Sequence, residues 1–162
     1  MENFRTGVGV DAHKFSADAS AGPCALAGLV WPETNRLEGH SDGDVAIHAI
    51  CDALFSACGL GDLGSNFGTS DPKYAGAAGS VLLQETHERV KKSGFEIQNI
   101  TVQIVGNRPK IGPRRKEAIA ALSSALGGAP VSVAATSTDG LGFTGEGKGI
   151  SAIASALLIG QR

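Results

Sequence analysis

The sequence predicts an α+β fold: a single-domain two-layer sandwich in which helices pack on one face of a mixed sheet. Two observations lead to this prediction. Apolar residues recur at helical spacing in some segments and alternate as in strands in others. The two kinds of segment are interspersed along the chain. The 162 residues show no internal repeat and no break in composition, so residues 1–162 are expected to form one domain.

Two strands are predicted near the N-terminus. Small and branched residues alternate from Thr6 to His13, which is typical of a strand. The apolar run from Cys24 to Pro32 predicts a second strand that stops at the proline, with a turn or bulge at Gly28.

The first helix is predicted to begin near Ser41. Either Ser41 or Asp42 can cap it, and Asp44 then lies in the first turn, where the helix dipole favours an anion. Gly59 and Gly61 supply the stop. Between them runs an apolar stripe at helical spacing, formed by Ile47, Cys51, Leu54 and Cys58.

The rest of the chain alternates between the two kinds of spacing. Residues 61–76 are polar and glycine-rich, and we expect them to form a functional loop. The last apolar segment, 150–159, fits a strand or a helix, because its periodicity does not distinguish them. Strands are also predicted over 95–106 and 131–138, and a helix over 114–126. Another helix is predicted over 80–92, with four inward residues: Leu82, Leu83, Thr86 and Val90.

Composition excludes several classes of function. The formal net charge of −2 at pH 7 gives no electrostatic footprint for nucleic acid or an anionic membrane. No stretch is long and apolar enough to span a bilayer. The three cysteines form no C-x-x-C pair, which argues against a disulfide framework and a sulfur-ligated zinc. The first residues lack the apolar core of a signal peptide, so we expect a cytoplasmic protein.

Asp11 and His13 form the first candidate site. Side chains two residues apart on a strand project to one face, with Cα atoms about 6–7 Å apart, so both can bind one divalent ion. A third ligand is expected within residues 39–48, which contain His40 and His48. His48 lies one helical turn after Asp44 and one before Asp52, so these three share a helical row beside the apolar stripe. An Asp-His-His set with an open fourth position is typical of a catalytic zinc. The alternative is a histidine that is hydrogen-bonded beside the core.

The second candidate site is a cluster of hydroxyl groups, glycines and one acid in residues 135–145. Hydroxyls and exposed backbone N–H groups bind phosphate oxygens, and a nearby Asp suits a divalent cation that bridges them. Residues 106–115 add Lys110 beside a predicted helix start, which is another position for an anion or nucleotide. The alternative is a glycine-rich hairpin with solvated charges.

Several motifs then occur in order: "DAH", "GHSDGDVAIHAICDALFSACGLGDLG", "FGTSDPKY", "VGNRPKI" and "ATSTDGLGFTGEGKG". With them the chain resembles the 2-C-methyl-D-erythritol 2,4-cyclodiphosphate synthase family over essentially its whole length. The resemblance implies conversion of 4-diphosphocytidyl-2-C-methyl-D-erythritol 2-phosphate to the cyclic diphosphate with release of CMP, in non-mevalonate isoprenoid biosynthesis. It also implies a phosphorus–oxygen lyase that is a homotrimer, with sheets around the threefold axis and active sites at subunit interfaces.

The resemblance also implies roles for particular residues. Zinc would be held by Asp11, His13 and His48. A second divalent ion, Mg²⁺ or Mn²⁺, would be held by Asp139, where the family often has Glu. The catalytic residues implied are Ser137, Thr138 and Asp139. The substrate-binding residues implied are His40, Ser41, Asp62, Gly64, Phe67, Gly106, Lys110, Ile111, Gly112, Thr136, Ser137 and Phe143.

In the implied mechanism the substrate's own 2-phosphate attacks its β-phosphorus, so no side-chain nucleophile is needed. His40 and Ser41 match the residues that hold the 2-phosphate, and Asp62 and Gly64 match those that contact the erythritol hydroxyls. Residues 106–112 match a cytidine pocket supplied by the adjacent subunit. The metal ions offset the repulsion between the phosphates, and holding both ends in line supplies much of the rate.

One departure from the family concerns the last glycine-rich turn. Much of the family has "GRGEG" there, whereas this chain has "GEGKG", with Glu146 and Lys148. In the family this Arg lies near the trimer axis, where an isoprenoid diphosphate can bind. We therefore expect weak or no binding of geranyl diphosphate. Tight calorimetric binding of one molecule per trimer would contradict this expectation.

Two other functions are compatible with parts of the sequence. The Asp-His-His set alone also permits a zinc-dependent phosphohydrolase, which would release linear products instead of a ring. A non-enzymatic trimer that binds isoprenoid phosphates would bind without turnover, and it would have no need of metal ligands.

Overall fold

The computed structural model describes residues 3–68 and 71–160 and has an α+β fold. Over these residues, no helix combines the length and the apolar character needed to cross a membrane. Its strands are β1 (Phe4–Lys14), β2 (Pro23–Leu26), β3 (Leu29–Asn35), β4 (Phe95–Val105), β5 (Val131–Thr136) and β6 (Gly149–Gly160). Its helices are α1 (Val45–Cys58), α2 (Leu63–Phe67), α3 (Gly79–Lys92), α4 (Arg115–Ala125) and the short α5 (Gly142–Gly145).

The main sheet has four strands in the order β1-β6-β4-β5. Strand β6 runs antiparallel to both of its neighbours, while β4 and β5 are parallel. The strands β1, β4 and β5 therefore point the same way, and we call the end where they finish the C-terminal end of the sheet. Lys14 pairs with Gly149 at this end, and Phe4 pairs with Ile159 at the opposite end. The segment 150–159 is a strand because both of its sides have hydrogen-bonded partners.

The helices cover one face of the sheet, and α1 packs directly on β1. A Cβ atom added to Gly7 would lie 2.6 Å from the backbone nitrogen of Ala57, and one added to Gly9 would lie 2.6 Å from that of Ala53. The helix presents the buried Ala49, Ala53 and Ala57 at this contact. Glycine on the strand and alanine on the helix thus allow the two backbones to approach closely. This approach sets the distance of α1 from β1.

The core lies between the sheet and the helices. The inward residues predicted for α3 are buried, and the three predicted segments 80–92, 95–106 and 114–126 are confirmed as α3, β4 and α4 within a residue or two. Cys24 and Cys51 are buried and Cys58 is half-buried. Burial raises the pKa of Cys24 and of Cys51 to about 12, so both thiols stay protonated in the core.

The apolar run from Cys24 to Pro32 forms a hairpin and not one strand. Its turn lies at Ala27 and Gly28, which have φ values of 54° and 76°, so the turn predicted at Gly28 is confirmed. Pro32 was wrongly expected to end the strand, because it lies inside β3. In this two-stranded sheet every strand has a free side, where a missing N–H is tolerated.

Helix α1 begins later than predicted. Its N-cap is Asp44, whose side chain accepts hydrogen bonds from the backbone nitrogens of Ala46 and Ile47. Asp42 instead accepts a hydrogen bond of 2.6 Å from the backbone nitrogen of Gly79, at the start of α3. The C-terminal stop at Gly59 is confirmed, since this residue has the left-handed conformation with a φ of 70°.

The other face of the main sheet carries no helix in the described chain. The side chains of Val8, Val10 and Ile153 on this face are 61%, 59% and 46% exposed. An uncovered apolar sheet face of this kind is typical of a surface that binds another protein.

Candidate active site

Strand β1 and helix α1 bring three side chains together at the C-terminal end of the sheet. Asp11 and His13 lie two residues apart on β1, so both face α1. His48 lies in the first turn of α1 and is 8% exposed. Because Gly7 and Gly9 let α1 approach β1, the imidazole of His48 reaches the two strand residues.

The ligand atoms of these side chains converge on one point. The Asp11 Oδ2 atom lies 2.9 Å from His13 Nε2 and 2.9 Å from His48 Nδ1, and the two ring nitrogens are 3.1 Å apart. A tetrahedral divalent ion with bonds of about 2.0–2.1 Å sets its ligands about 3.3 Å apart, so the triangle fits such an ion. Three protein ligands leave a fourth position open for a substrate oxygen.

Asp11 and His13 favour each other's charged forms. Burial alone would raise the pKa of Asp11, but hydrogen bonds from His13 and His48 hold it well below its usual range. The hydrogen bond to Asp11 raises the pKa of His13 above its usual value, although burial opposes the shift. A metal ion that binds these groups must displace the proton they share.

Ser41 orients the third ligand. Its Oγ atom lies 2.8 Å from His48 Nε2, and the serine is 4% exposed. In a metal-bound state, a proton on Nε2 donated to Ser41 would leave Nδ1 unprotonated and free to bind the ion in place of its hydrogen bond to Asp11. The Ser41 backbone is itself fixed, because its carbonyl oxygen accepts a hydrogen bond of 2.7 Å from Arg36 Nη2.

We predict that Ser41→Ala weakens divalent-metal binding by about 10- to 100-fold, because His48 loses the partner that fixes its ring. Competition with a chromophoric chelator measures this affinity directly. Ser56→Ala serves as the matched control, since Ser56 lies on the exposed side of the same helix. Equal metal affinity in wild type and Ser41→Ala would show that Ser41 does not orient His48.

The two acids that flank His48 on the predicted helical row have structural contacts instead. Asp44 is 1% exposed, and its oxygens accept hydrogen bonds of 2.9 and 2.8 Å from the backbone nitrogens of Ala27 and Gly28. Asp52 Oδ1 accepts one of 2.6 Å from the backbone nitrogen of Leu63, where α2 begins. The row suggested by spacing therefore contributes one metal ligand, and its acids hold neighbouring segments in place.

A cavity of about 460 Å³ opens beside the triangle of ligands. Its walls include the implied metal ligands and several of the implied substrate-binding residues, so the structure brings these side chains to one cavity. Those lining residues are Asp11, His13, His40, Ser41, His48, Asp62, Gly64 and Phe67. In the motif "FGTSDPKY", Thr69 and Ser70 lie outside the described residues.

The remaining implied residues form a second group around the ends of β4 and β5. Asn107 Nδ2 donates a hydrogen bond of 2.7 Å to the carbonyl oxygen of Gly145, which ties the two loops together. Ser137 Oγ donates one of 3.2 Å to Asp139 Oδ1, and Asp139 has a left-handed φ of 51°. The members of this group are Gly106, Lys110, Ile111, Gly112, Thr136, Ser137, Thr138, Asp139 and Phe143.

Side chains in the second group differ in how accessible they are. Lys110, Thr136 and Phe143 are exposed, whereas Ile111 is buried in the core. Thr138 Oγ1 is occupied locally, since it donates a hydrogen bond of 2.6 Å to the carbonyl oxygen of Leu141. Because the side chain of Ile111 is buried, that residue can offer a ligand only its backbone in this conformation.

The two groups lie apart within one chain. Ala12 pairs with Ser151, Ser151 with Val105, and Val105 with Thr136, so these four residues form one row across the sheet. Three strand spacings separate the ends of this row, a distance of about 14 Å. No member of the second group lines the cavity of about 460 Å³. One described chain therefore carries the implied site residues as two separate groups, which we call half-sites.

Some residues of the cavity wall were not predicted from the sequence to bind a ligand. Asp52, Leu63, Tyr74 and Leu82 also line it. Leu82 was predicted to be a core residue, and helical periodicity cannot separate a core residue from a pocket residue. Tyr74 is the one tyrosine in the chain and ends a quoted motif, which is the signal that could have identified it.

The glycine-rich turn that differs from the family's pattern contains an ion pair. Lys148 Nζ forms an ion pair with Glu146, so in this conformation the two residues neutralise each other. Their side chains remain 71% and 49% exposed, and such pairs contribute little to stability.

Comparisons with known proteins identify a family that the chain matches over nearly its whole length. Residues 4–159 match the model of the YgbB family. The chain is 58% identical to 2-C-methyl-D-erythritol 2,4-cyclodiphosphate synthase from Cutibacterium acnes, with 98% of this chain and 92% of the relative covered. It is 50% identical to the synthase of the same name from Acidothermus cellulolyticus, covering 98% and 96%.

A solved structure shows the same fold. The chain superposes on the CDP complex of IspF from Plasmodium falciparum with a TM-score of 0.84 at 29% identity, covering 100% of this chain and 99% of that one.

Proposed function

The chain belongs to the YgbB family of 2-C-methyl-D-erythritol 2,4-cyclodiphosphate synthases, and from this premise we propose how its residues carry out the reaction. It converts 4-diphosphocytidyl-2-C-methyl-D-erythritol 2-phosphate to the 2,4-cyclodiphosphate and releases CMP. Residues 1–162 act as one synthase domain. The observation that carries the assignment of roles is the triangle of Asp11, His13 and His48 beside a cavity lined by the polar residues of the motifs.

Two ions take part in this proposal. Zinc is held by Asp11, His13 and His48, because one carboxylate and two imidazoles form a donor set that zinc prefers. Mg²⁺ or Mn²⁺ is held by Asp139, a carboxylate next to hydroxyl groups, which suits a hard cation and phosphate oxygens. When bound, such ions polarise phosphoryl oxygens and neutralise the charge that develops on them.

The chain's own residues position the substrate. His40 and the backbone around Ser41 hold the 2-phosphate beside the triangle, while Asp62 and Gly64 contact the erythritol hydroxyls on the opposite wall. In the second half-site, residues 106–112 and Thr136 hold the cytidine, with Ser137 and Thr138 near the diphosphate. Holding both ends of one flexible molecule brings the 2-phosphate oxygen in line with the β-phosphorus. No side chain acts as a nucleophile.

The two half-sites meet between neighbouring chains of a homotrimer. The row that carries the two groups runs from Ala12 on β1 to Thr136 on β5 and spans about three strand spacings, or 14 Å, which supports a second chain as the source of the other half. The exposed Val8, Val10 and Ile153 supply an apolar sheet face for this assembly, with the sheets around the threefold axis. Light scattering that gives a monomer mass at micromolar concentration would contradict the trimer.

The proposed reaction is tested by incubating the protein with the cytidyl diphosphate substrate, with and without a chelator. We expect CMP release that stops when metal is removed and resumes when Zn²⁺ and Mg²⁺ are restored. Phosphorus NMR separates the cyclic product from a linear one. A linear phosphate product would identify a metal-dependent hydrolase, and binding without any CMP would identify a non-enzymatic module.

We further predict that two inactive variants complement each other. Asp11→Asn removes a ligand from one half-site and Asp139→Ala removes one from the other, so each homotrimer is inactive. When the two chains are co-expressed in equal amounts and assemble at random, about a quarter of all interfaces combine two intact halves, and activity returns to about that fraction. Separately purified and unmixed variants are the control. Mixed trimers as inactive as either parent would contradict a site shared between chains.

A further inference from the structure

The loop that forms one wall of the cavity depends on contacts from outside itself. It supplies Asp62, Gly64 and Phe67 to the cavity, yet α2 has only five residues. A helix of one or two turns does not maintain its own conformation in water. Its start is fixed by the hydrogen bond from the Leu63 backbone to Asp52. Towards its end, Asn66 Nδ2 donates hydrogen bonds of 2.8 Å to the carbonyl oxygens of Leu60 and Asp62, while the Asn66 carbonyl and the Phe67 ring are held from outside the loop.

Arg89 of α3 provides that support. Its Nη1 atom donates hydrogen bonds of 3.0 Å to the carbonyl oxygen of Asn66 and 3.1 Å to Asn66 Oδ1. The guanidinium group also lies over the ring of Phe67, with 4.7 Å from Cζ to the ring centroid. One planar group therefore fixes both the backbone and the aromatic side chain at the end of α2.

Glu85 completes the support from one helical turn away. Its Oε1 atom accepts hydrogen bonds of 2.8 Å from Arg89 Nη2 and 2.8 Å from the hydroxyl of Tyr74. The rings of Phe67 and Tyr74 pack edge to face with centroids 4.8 Å apart. Glu85 thus connects Arg89 to the second aromatic residue of the cavity wall.

Neither α3 side chain lines the cavity. Glu85 and Arg89 border a groove on the outer side of α3 instead, and each side chain is 28% exposed. Their effect on a substrate must therefore pass through Asn66, Phe67 and Tyr74.

We propose that Arg89, held by Glu85, is a positioning residue for the cyclisation. By fixing the end of α2 it places Asp62 and Gly64 against the substrate, and it thereby sets the angle between the 2-phosphate and the β-phosphorus. This inference rests on the proposed function of the cavity. Small displacements of such a wall are costly for the rate, because in-line attack tolerates little change in distance or angle.

Arg89→Met tests the inference, since methionine keeps an apolar stem but removes every N–H contact. We expect kcat for CMP release, per folded and metal-loaded trimer, to fall by about tenfold or more. The KM for the cytidyl substrate should change by less than about threefold, because the phosphates and cytidine keep their own contacts. Glu85→Gln should lower kcat in the same direction but less.

Lys92→Met is the matched control on the same helix. Lys92 borders the same outer groove and forms no ion pair with any described residue, so its kcat and KM should equal those of wild type. Metal content and melting temperature are measured for every variant. Lysine at position 89 cannot contact Asn66 and Glu85 in the same planar geometry, so Arg89→Lys should restore only part of kcat.

A double-variant cycle keeps the test decisive if Arg89→Met is less stable. Asn66→Ala removes the Oδ1 acceptor of Arg89 together with the Nδ2 hydrogen bonds to the carbonyl oxygens of Leu60 and Asp62. Because the two variants share the Oδ1 contact, Arg89→Met should lower kcat less in the Asn66→Ala background than in wild type. Unchanged kcat in Arg89→Met, or a loss fully explained by unfolded or metal-free protein, would overturn the inference. Failure of wild type to form the ring would instead overturn the proposed function.

Discussion

Replacing His48 by Ala abolishes both metal binding and cyclisation, if the triangle is the metal centre. The variant loses one of three ligands whose donor atoms lie 2.9–3.1 Å apart, and the two remaining ligands cannot hold zinc at ordinary concentrations. We expect kcat for CMP release to fall by at least about 10³-fold, since the charge of the phosphates is no longer offset. Asp11→Asn should have the same effect while keeping the shape of the side chain.

Three measurements distinguish this loss from unfolding. Elemental analysis after dialysis gives the metal content, circular dichroism gives the folded fraction, and CMP release gives the rate. His87→Ala is the matched control, because His87 lies on α3 beside Gly127 and outside the triangle. It should keep full metal content. Turnover close to that of wild type in His48→Ala, with zinc absent, would show that the assignment of the centre is wrong.

Replacing Gly9 by Ala destabilises the fold and separates the ligands of the triangle. The added methyl group would overlap the carbonyl oxygen of Ala49 and lie 2.6 Å from the backbone nitrogen of Ala53, and backbone atoms of a helix cannot move aside singly. We expect α1 to shift away from β1 at a cost of about 3 kcal/mol or more in the free energy of unfolding. Because His48 moves with α1, metal affinity should fall as well.

Gly112→Ala provides the comparison for this experiment. A Cβ atom added to Gly112 meets no atom within 4 Å, and its φ lies outside the left-handed region, so denaturant unfolding should give a free energy near that of wild type. Chemical denaturation and chelator competition are measured on both variants. A Gly9→Ala protein with wild-type stability and metal affinity would show that close packing of α1 on β1 does not define the site.

The spacing of apolar residues predicted the helices and strands whose structure depends mainly on their own residues. The helix α3 and the strand β4 were recognisable because apolar residues repeat every turn or every second position. The start of α1 was predicted too early, because Ser41 and Asp42 can also cap a helix by sequence. The contact that engages Asp42 comes from Gly79, which is distant in sequence, and Asp44 is the N-cap. Strand β6 could not be distinguished from a helix until its neighbours were known.

The candidate site also contains some residues that local spacing identified and others that only tertiary contacts reveal. The spacing of Asp11 and His13 was sufficient to suggest a shared ion, since the geometry of a strand fixes where they point. The helical row favoured His48, and the resemblance to a family then identified it as the third ligand. Arg89 could not be found from the sequence: a charged residue on an amphipathic helix has the pattern of an ordinary solvated position. Only its contacts with Asn66 and Phe67 give it a role.

The pairing of Phe4 with Ile159 has a practical consequence for protein engineering. Asn3 and Gly160 are hydrogen-bonded neighbours at 2.8 Å, and they lie at the end of the sheet opposite the triangle. An affinity tag, a fluorescent reporter or a second enzyme attached by a flexible tether at either position would therefore extend away from the metal ligands. Such fusions should leave access to the cavity unobstructed.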